Sequence, residues 1–507
     1  MRSVTRTAAL VIGAVALPAA LAVAVRARSG PDDPRISVGA APPATLLPGD
    51  VRDPAGRMIA GAVWTGLTAY DGRGGTPVDA AAESITSRDR RVWTIRLRPG
   101  QRFHDGSAVT ARSFVDAWRA VLREGWHGAR LLTDVARVKG AGGRDDDVEG
   151  LKVRDERTFE VALDRPFNGF PALLADPAFL PLPDAVLRSR DWASYARRPI
   201  GNGPYRVRSH DARETVLEPR DGRGPAIVVR AMPDAGAQYR AVRAGELDVA
   251  TAVPPDKHAS MDADFRGRHL SVPGRTATYL AFPEWEERFA APALRHALSM
   301  AIDRRAVAEG PLGHQVSPAD ALVPPGIALG RREGQCRACV HDGAAAAAAL
   351  ADAGGLDGPV TLWYEAGAGD DAWVRAVADQ WRSTLKLDVR PKAVPAAELR
   401  RALAERRVDG PYAVRSAAAY PAPAAALAPL PRPDDGPAAD LIEQSLRAAT
   451  PDDGVIPARL AESSLLRDMP VMPLWCRHDH LVWSERVRGV TADAFAGLVL
   501  PRLRATD

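Results

Sequence analysis

One stretch at the amino terminus divides the chain in two. Ala8 to Val25 carries no charge, with Arg2 and Arg6 before it and Arg26 and Arg28 after it. A positive flank followed by an apolar run is the pattern of an export signal. The run is also close to the roughly 18–20 residues that span a bilayer. Ala22 and Ala24 offer a small-x-small cleavage site; the alternative is an uncleaved anchor. Residues 1–28 are therefore expected to be a signal peptide or a membrane anchor, and residues 29–35 (SGPDDPR) a linker. No cysteine lies near residues 20–30, which excludes a lipid-modified amino terminus. No second spanning run follows. The rest of the chain is expected to form a soluble body outside the cytoplasmic membrane, at the cell surface or in the periplasmic space, exported and either released or held by residues 8–25.

That body mixes two periodicities. Trp93, Ile95 and Leu97 alternate with Thr94, Arg96 and Arg98, and Phe159, Val161 and Leu163 alternate with polar neighbours; both predict half-buried strands. Helical spacing links Phe114, Val115, Trp118, Val121 and Leu122, with Thr110 as cap. It recurs at Leu294, Ala297, Leu298, Ala301 and Ile302, and at Trp373, Val374, Val377, Trp381 and Leu385, which runs into a short apolar alternation at Leu385, Leu387 and Val389. Ala344 to Ala353 is a helix by propensity, stopped at Gly354-Gly355. Residues 140–147 and 418–433 read as loops. A chain of 507 residues predicts about three folded units and needs no disulfide scaffold. Its net charge of +4 is small for that length, and the basic residues are scattered without interleaved aromatics, so no nucleic-acid partner is implied.

The patterns that carry catalysis are missing. There is no HExxH, no GxSxG and no glycine loop with a following lysine, and Gly140, Gly142 and Gly143 do not sit between a strand and a helix. The reading is a protein without enzymatic activity, cofactor or metal. Cys336 and Cys339 form a CxxC with His341 two residues on. A local disulfide is the favoured reading outside the membrane. A redox pair, or half of a metal site completed by Cys476 or His478, are the alternatives. Cys476 reads as a small apolar residue beside Trp475, and His478 and His480 as surface side chains sharing one strand face.

The segment 92–118, VWTIRLRPGQRFHDGSAVTARSFVDAW, resembles the signature of extracytoplasmic solute-binding proteins of the oligopeptide, dipeptide and nickel class, family 5, which serve ABC importers. Further stretches match in the same order: Ala80 to Ser87, Ile200-Gly201-Asn202-Gly203-Pro204-Tyr205, Ala244 to Asp248, Arg295 to Asp303, and Met469 to Trp475. The resemblance implies an α/β, two-lobed periplasmic-binding-protein-like fold of class II type, with an extra α/β domain inserted in the N-terminal lobe. The expected boundaries are 36–64, 184–270 and 476–507 for the first lobe, 65–183 for the extra domain and 271–475 for the second lobe. It further implies capture of a peptide-like solute between the lobes by a monomer, closure by a hinge, and delivery to ABC permease subunits.

Peptide-binding members hold the peptide's amino end with an aspartate in a "W-DYP-P" loop. Ala419 stands at that place here, followed by Tyr420, Pro421 and Pro423, and the acidic residue of an early "EP-TLDP" motif is also missing from Pro42 to Pro48. A free ammonium group buried against Ala419 would be costly. The expected ligand is a peptide without a normally placed free amino end, or a different solute. Candidate cleft residues are Tyr412, Arg415, Ala419 and Tyr420 in and around the altered loop, Trp363 and Tyr364 in TLWYE, and Tyr279 and Trp475 at the two interlobe crossings. A membrane-tethered sensor, or a member no longer coupled to transport, is the alternative role. A metal- or thiol-dependent enzyme is a more remote one.

Overall fold

The structure, a computed structural model, describes residues 35–70, 77–143, 147–433 and 435–506. The expected signal or anchor, and all but the last residue of the linker, lie outside them. Among the described residues no helix is long and apolar enough to cross a membrane.

Two thirteen-residue strands, His269–Ala281 and Val471–Trp483, run antiparallel through the centre of an eleven-stranded sheet. We term them the crossing strands, because each contributes to both halves of that sheet. On one side the order continues through Val249–Ala250, Arg35–Ala40, Ala226–Ala231, Glu214–Pro219 and Tyr205–His210. On the other it continues through Tyr412–Ala417, Val360–Glu365 and Val389–Val394. The ladder between the crossing strands shifts register between Pro273 and Ala277. Gly274 is the cause of close approach there: a Cβ on it would lie 2.4 Å from the Arg477 carbonyl oxygen. The two halves are the two lobes of an α/β fold, and the chain passes between them within continuous strands. The expected boundary at 270–271 falls inside the first crossing strand.

A separate four-stranded sheet carries the two strands predicted from alternation, Val92–Leu97 and Thr158–Ala162, beside Ala82–Thr86 and Leu151–Val153. Trp93, Ile95 and Leu97 are buried and Val92 and Arg96 exposed, the pattern of a sheet covered on one face. Helix Ala111–Arg123 covers it. Ser113 Oγ accepts from the Thr110 backbone N–H at 3.1 Å, closing the helix's first turn. Trp118 packs edge-on to Phe159 and Phe179, with ring centroids 5.7 and 5.2 Å away, and its indole N–H donates to the Phe179 carbonyl at 3.1 Å.

The other expected helices are present over Pro292–Met300, Gly343–Asp352 and Asp371–Leu385, the first stopping short of Ala301 and Ile302. Two readings need correction. The Ala- and Pro-rich stretch 418–433 is not all loop: it contains the helix Pro423–Leu427, begun by proline at its first position. Leu385 belongs to a helix, and the strand begins only at Val389, because Lys386 takes a left-handed conformation and ends the helix. Cys336 and Cys339 are disulfide-bonded, and Cys476 is a buried free thiol whose pKa burial pushes up to about 12.

Candidate ligand-binding site

The motifs of the sequence hold the wall of a cavity. Asp53 caps the helix Pro54–Val63 by accepting from the Gly56 N–H at 2.8 Å. At the far end of that helix the chain of Gly201 and Gly203 lies directly on Val63; a Cβ on Gly201 would be 2.0 Å from the Val63 carbonyl oxygen. Between these glycines, the Asn202 amide accepts from Thr65 N–H at 2.9 Å and donates to Thr65 O at 3.0 Å. His104 braces the same turn. Gly201 N–H donates to its Nδ1 at 3.2 Å, which leaves Nε2–H to donate to Gly203 O at 3.0 Å. The FHDG and GNGPY segments thus fix Trp64 and Thr65 from behind, without touching the cavity through His104.

The cavity encloses about 240 Å3. Helix Pro54–Val63 and the following turn form one wall through Arg57, Met58 and Trp64; Tyr70, Asp176 and Leu180 form another; Ala419 reaches it from the second half of the main sheet. The carboxyl-terminal segment closes it with Phe495, Leu498 and Leu500. A hairpin of Ala492–Asp493 and Gly497–Leu498 separates this chamber from a second cavity of about 180 Å3, lined by Asp53, Gln238, Arg477 and Asp479.

The charges around the chamber are unevenly satisfied. Arg57, 17% exposed, pairs with Asp176, 7% exposed, at 2.7 Å. The other Asp176 oxygen accepts from Ala178 N–H at 3.0 Å. Asp493 Oδ1 accepts from the N–H groups of Phe495 and Ala496 at 2.7 and 2.8 Å, which shapes the hairpin. Arg275, half-buried at the register shift of the first crossing strand, donates to the Ala418 carbonyl at 2.8 Å and stacks 5.0 Å above the Phe495 ring. The same Phe495 ring packs tilted against Tyr70, centroids 5.1 Å apart. Burial first, and then repulsion by Arg57, lower the Arg275 pKa to about 10.

A second contact ties the small-sheet region to the far half. Asn168 Nδ2 donates to the carbonyls of Ser445, Ala448 and Thr450 at 2.9, 3.3 and 3.1 Å, and Asn168 N–H to Leu446 O at 3.0 Å. Arg165 pairs with Glu443 at 2.6 Å. Tyr420 packs edge-on to Phe167, centroids 5.2 Å apart.

Of the candidate cleft residues, the structure places Ala419 in the chamber wall. The others are not among the residues lining it. Tyr279 is fully buried and donates to Leu322 O at 2.7 Å. Trp363 donates to Asp409 at 2.8 Å under the Lys392 ammonium, and Tyr364 to Asp371 at 2.9 Å. Tyr412 is buried, with its pKa pushed up to about 12 by burial, and Tyr420 is buried beside Phe167. Trp475 packs edge-on to Trp373 at 4.9 Å. Arg415 pairs with Asp370 at 2.5 Å. Arg57, Tyr70, Asp176 and Phe495 carry the chamber's chemistry, with Arg275 behind Phe495, and no spacing in the sequence singles them out. His478 and His480 are not bare surface. His478 hydrogen-bonds Ser317 at 2.9 Å; His480 is buried against His258, ring centroids 4.1 Å apart. Among the described residues no group of three or more His, Cys, Asp or Glu side chains is arranged to hold a metal ion.

Several known proteins resemble this chain. The periplasmic murein peptide-binding protein MppA of Escherichia coli K12 is 27% identical over 345 residues, which is 62% of this chain and 63% of the relative. The dipeptide-binding protein DppE of Bacillus subtilis is 27% identical over 282 residues, 52% of this chain and 51% of the relative. The chain thus spans between half and two thirds of the length of these curated relatives. Among solved structures, the unliganded open form of MppA superposes with a TM-score of 0.80 at 21% identity, covering 94% of this chain and 98% of that one. OppA of Haemophilus influenzae in complex with RPPGFSPFR gives 0.72 at 18% identity, covering 94% and 99%. These likenesses establish the two-lobed fold. Residues 76–436 match the family described as bacterial extracellular solute-binding proteins, family 5 Middle. With most of its length inside that match, the chain belongs to the bacterial extracellular solute-binding proteins of family 5.

Proposed function

We propose that this protein is the extracytoplasmic substrate-binding component of an ABC importer, which captures a peptide-like solute and hands it to membrane permease subunits without transforming it. The observation that carries this reading is the chamber of about 240 Å3, walled by helix Pro54–Val63 on one side and reached by Ala419 on the other. A solute there touches both halves of the main sheet, so its binding energy favours the closed arrangement over the open one. The relatives named as murein-peptide- and dipeptide-binding proteins support a peptide-like ligand.

The first lobe is assigned to about 36–64, 184–270 and 476–507, the extra domain to 65–183 and the second lobe to 271–475, with each interlobe passage inside a crossing strand. Residues 8–25 serve export or tethering; fractionation of cells, with amino-terminal sequencing of the mature protein, separates the two. The protein acts as a monomer. Protein taken from its own cells and measured by native mass spectrometry is expected to carry a bound peptide, lost on denaturation. A non-peptidic companion, or peptide uptake that survives deletion of the protein, overturns the reading.

A further inference from the structure

We propose that the edge of the chamber at Ala419 is an anion subsite, where Arg57 in the lining, and Arg275 just behind it on the lining ring of Phe495, receive a carboxylate or phosphate carried by the solute. The inference rests on the reading that the chamber holds the solute, and adds the charge of the end that enters first.

Arg275 has the donors for it. A guanidinium offers five N–H groups. One protein acceptor meets them, the Ala418 carbonyl, and the flat face rests on Phe495. No carboxylate among the described residues lies within ion-pair distance of it. The two acids nearby are engaged: Asp176 by Arg57 and Ala178 N–H, Asp493 by the turn of its own hairpin. Arg57 and Arg502 line the chamber and Arg275 rests on the lining ring of Phe495, so three guanidinium groups gather where the lining holds two carboxylates, Asp176 and Asp493. Position 419, which lines the same region, is alanine and supplies no countercharge. A solute amino group brought here would meet like charge in a poorly hydrated space, whereas an anion would take the unused donors in a fork geometry.

The test is a charge series on one peptide. The full-length protein is titrated calorimetrically with trialanine amide bearing a succinyl, an acetyl or no group on its amino end, giving a negative, neutral or positive terminus. The wild type is expected to bind the succinyl form at least about tenfold more tightly than the acetyl form, and the free amine weakest. R275Q is expected to bind all three alike. A419D, which places a carboxylate beside Arg275 without removing it, is expected to abolish the succinyl preference even if R275Q folds poorly. In parallel, inorganic phosphate at constant ionic strength should raise the wild-type melting temperature and leave that of A419D and R275Q unchanged. If no peptide binds but the phosphate effect follows these variants, the anion subsite stands and the peptide reading falls. If the free amine binds as tightly as the succinyl form, or the variants keep the wild-type response to phosphate, the anion subsite is overturned while peptide binding is untouched.

Discussion

His480 shows what a strand pattern hides. Its ring lies on the second crossing strand, hydrogen-bonded to Ser271 Oγ through Nδ1 at 2.9 Å, with Nε2 buried and unpartnered. Burial, followed by the nearby His258, His478 and His269, lowers its pKa to about 4. The folded state therefore holds a neutral ring while the unfolded chain protonates near pH 6.5. The resulting stability is present above about pH 6.5 and is lost as pH falls towards about 4, in total on the order of 3 kcal/mol. Urea midpoints between pH 7.5 and 4.5 should fall steeply in the wild type and less in H480N; equal slopes would remove His480 as the cause. Arg304 is the opposite case, a buried cation with no acid paired to it among the described residues. It donates to the carbonyls of Pro473, Ser299 and Cys339 at 2.9, 3.0 and 3.1 Å and to Ser299 Oγ at 2.7 Å, so it ties the disulfide turn to a crossing strand. R304Q strands those carbonyls and should cost ~3 kcal/mol in chemical denaturation. Neither residue was legible in the sequence as what it is. Alternation assigns a side chain to a face, but what covers that face comes from the segment around His258 for one and the turn at Cys339 for the other, both distant in the chain.

Short segments with a fixed internal geometry were far more legible. The FHDG and GNGPY segments read as structural signatures, and they meet each other through His104 to support the chamber wall. Replacing Gly201 by alanine drives a Cβ into the Val63 carbonyl, and backbone cannot step aside as a side chain can. G201A should therefore lose about 2–3 kcal/mol of stability and bind solute more weakly, as Trp64 and Thr65 shift. G142A, where a Cβ meets nothing, should change neither, in the same melts. The candidate cleft aromatics do not line the chamber. Trp363 and Tyr364 are neighbours on one strand and point to opposite faces, yet both are buried, because the sheet there is covered on both sides. Aromatic identity alone does not separate that case from a cleft edge. Ala419 was identified by the absence of a charge in a loop pattern, which depends on order along the chain and not on burial.

At the scale of the whole molecule, the crossing strands join the two halves of the main sheet, and Asn168 and Arg165 tie the small-sheet region to the segment 443–450. The first is covalent and continuous; the second is a few hydrogen bonds and an ion pair. Removing the second in an N168A/R165A variant should populate more open forms in the absence of solute. X-ray scattering should then give a larger radius of gyration than the wild type and a larger decrease on adding a bound ligand. A variant indistinguishable from the wild type would mean the contact does not govern opening. Motif order had already implied that the lobes are discontinuous. The position of the passage was not legible, since no break in composition marks the middle of a strand. The hairpin of Ala492–Asp493 and Gly497–Leu498 has one more consequence. It is the partition that gives the chamber its floor, and Asp493 and Leu498 line the cavities on both of its sides. A substitution that reshapes this hairpin therefore alters two spaces at once, and room added to one is taken from the other.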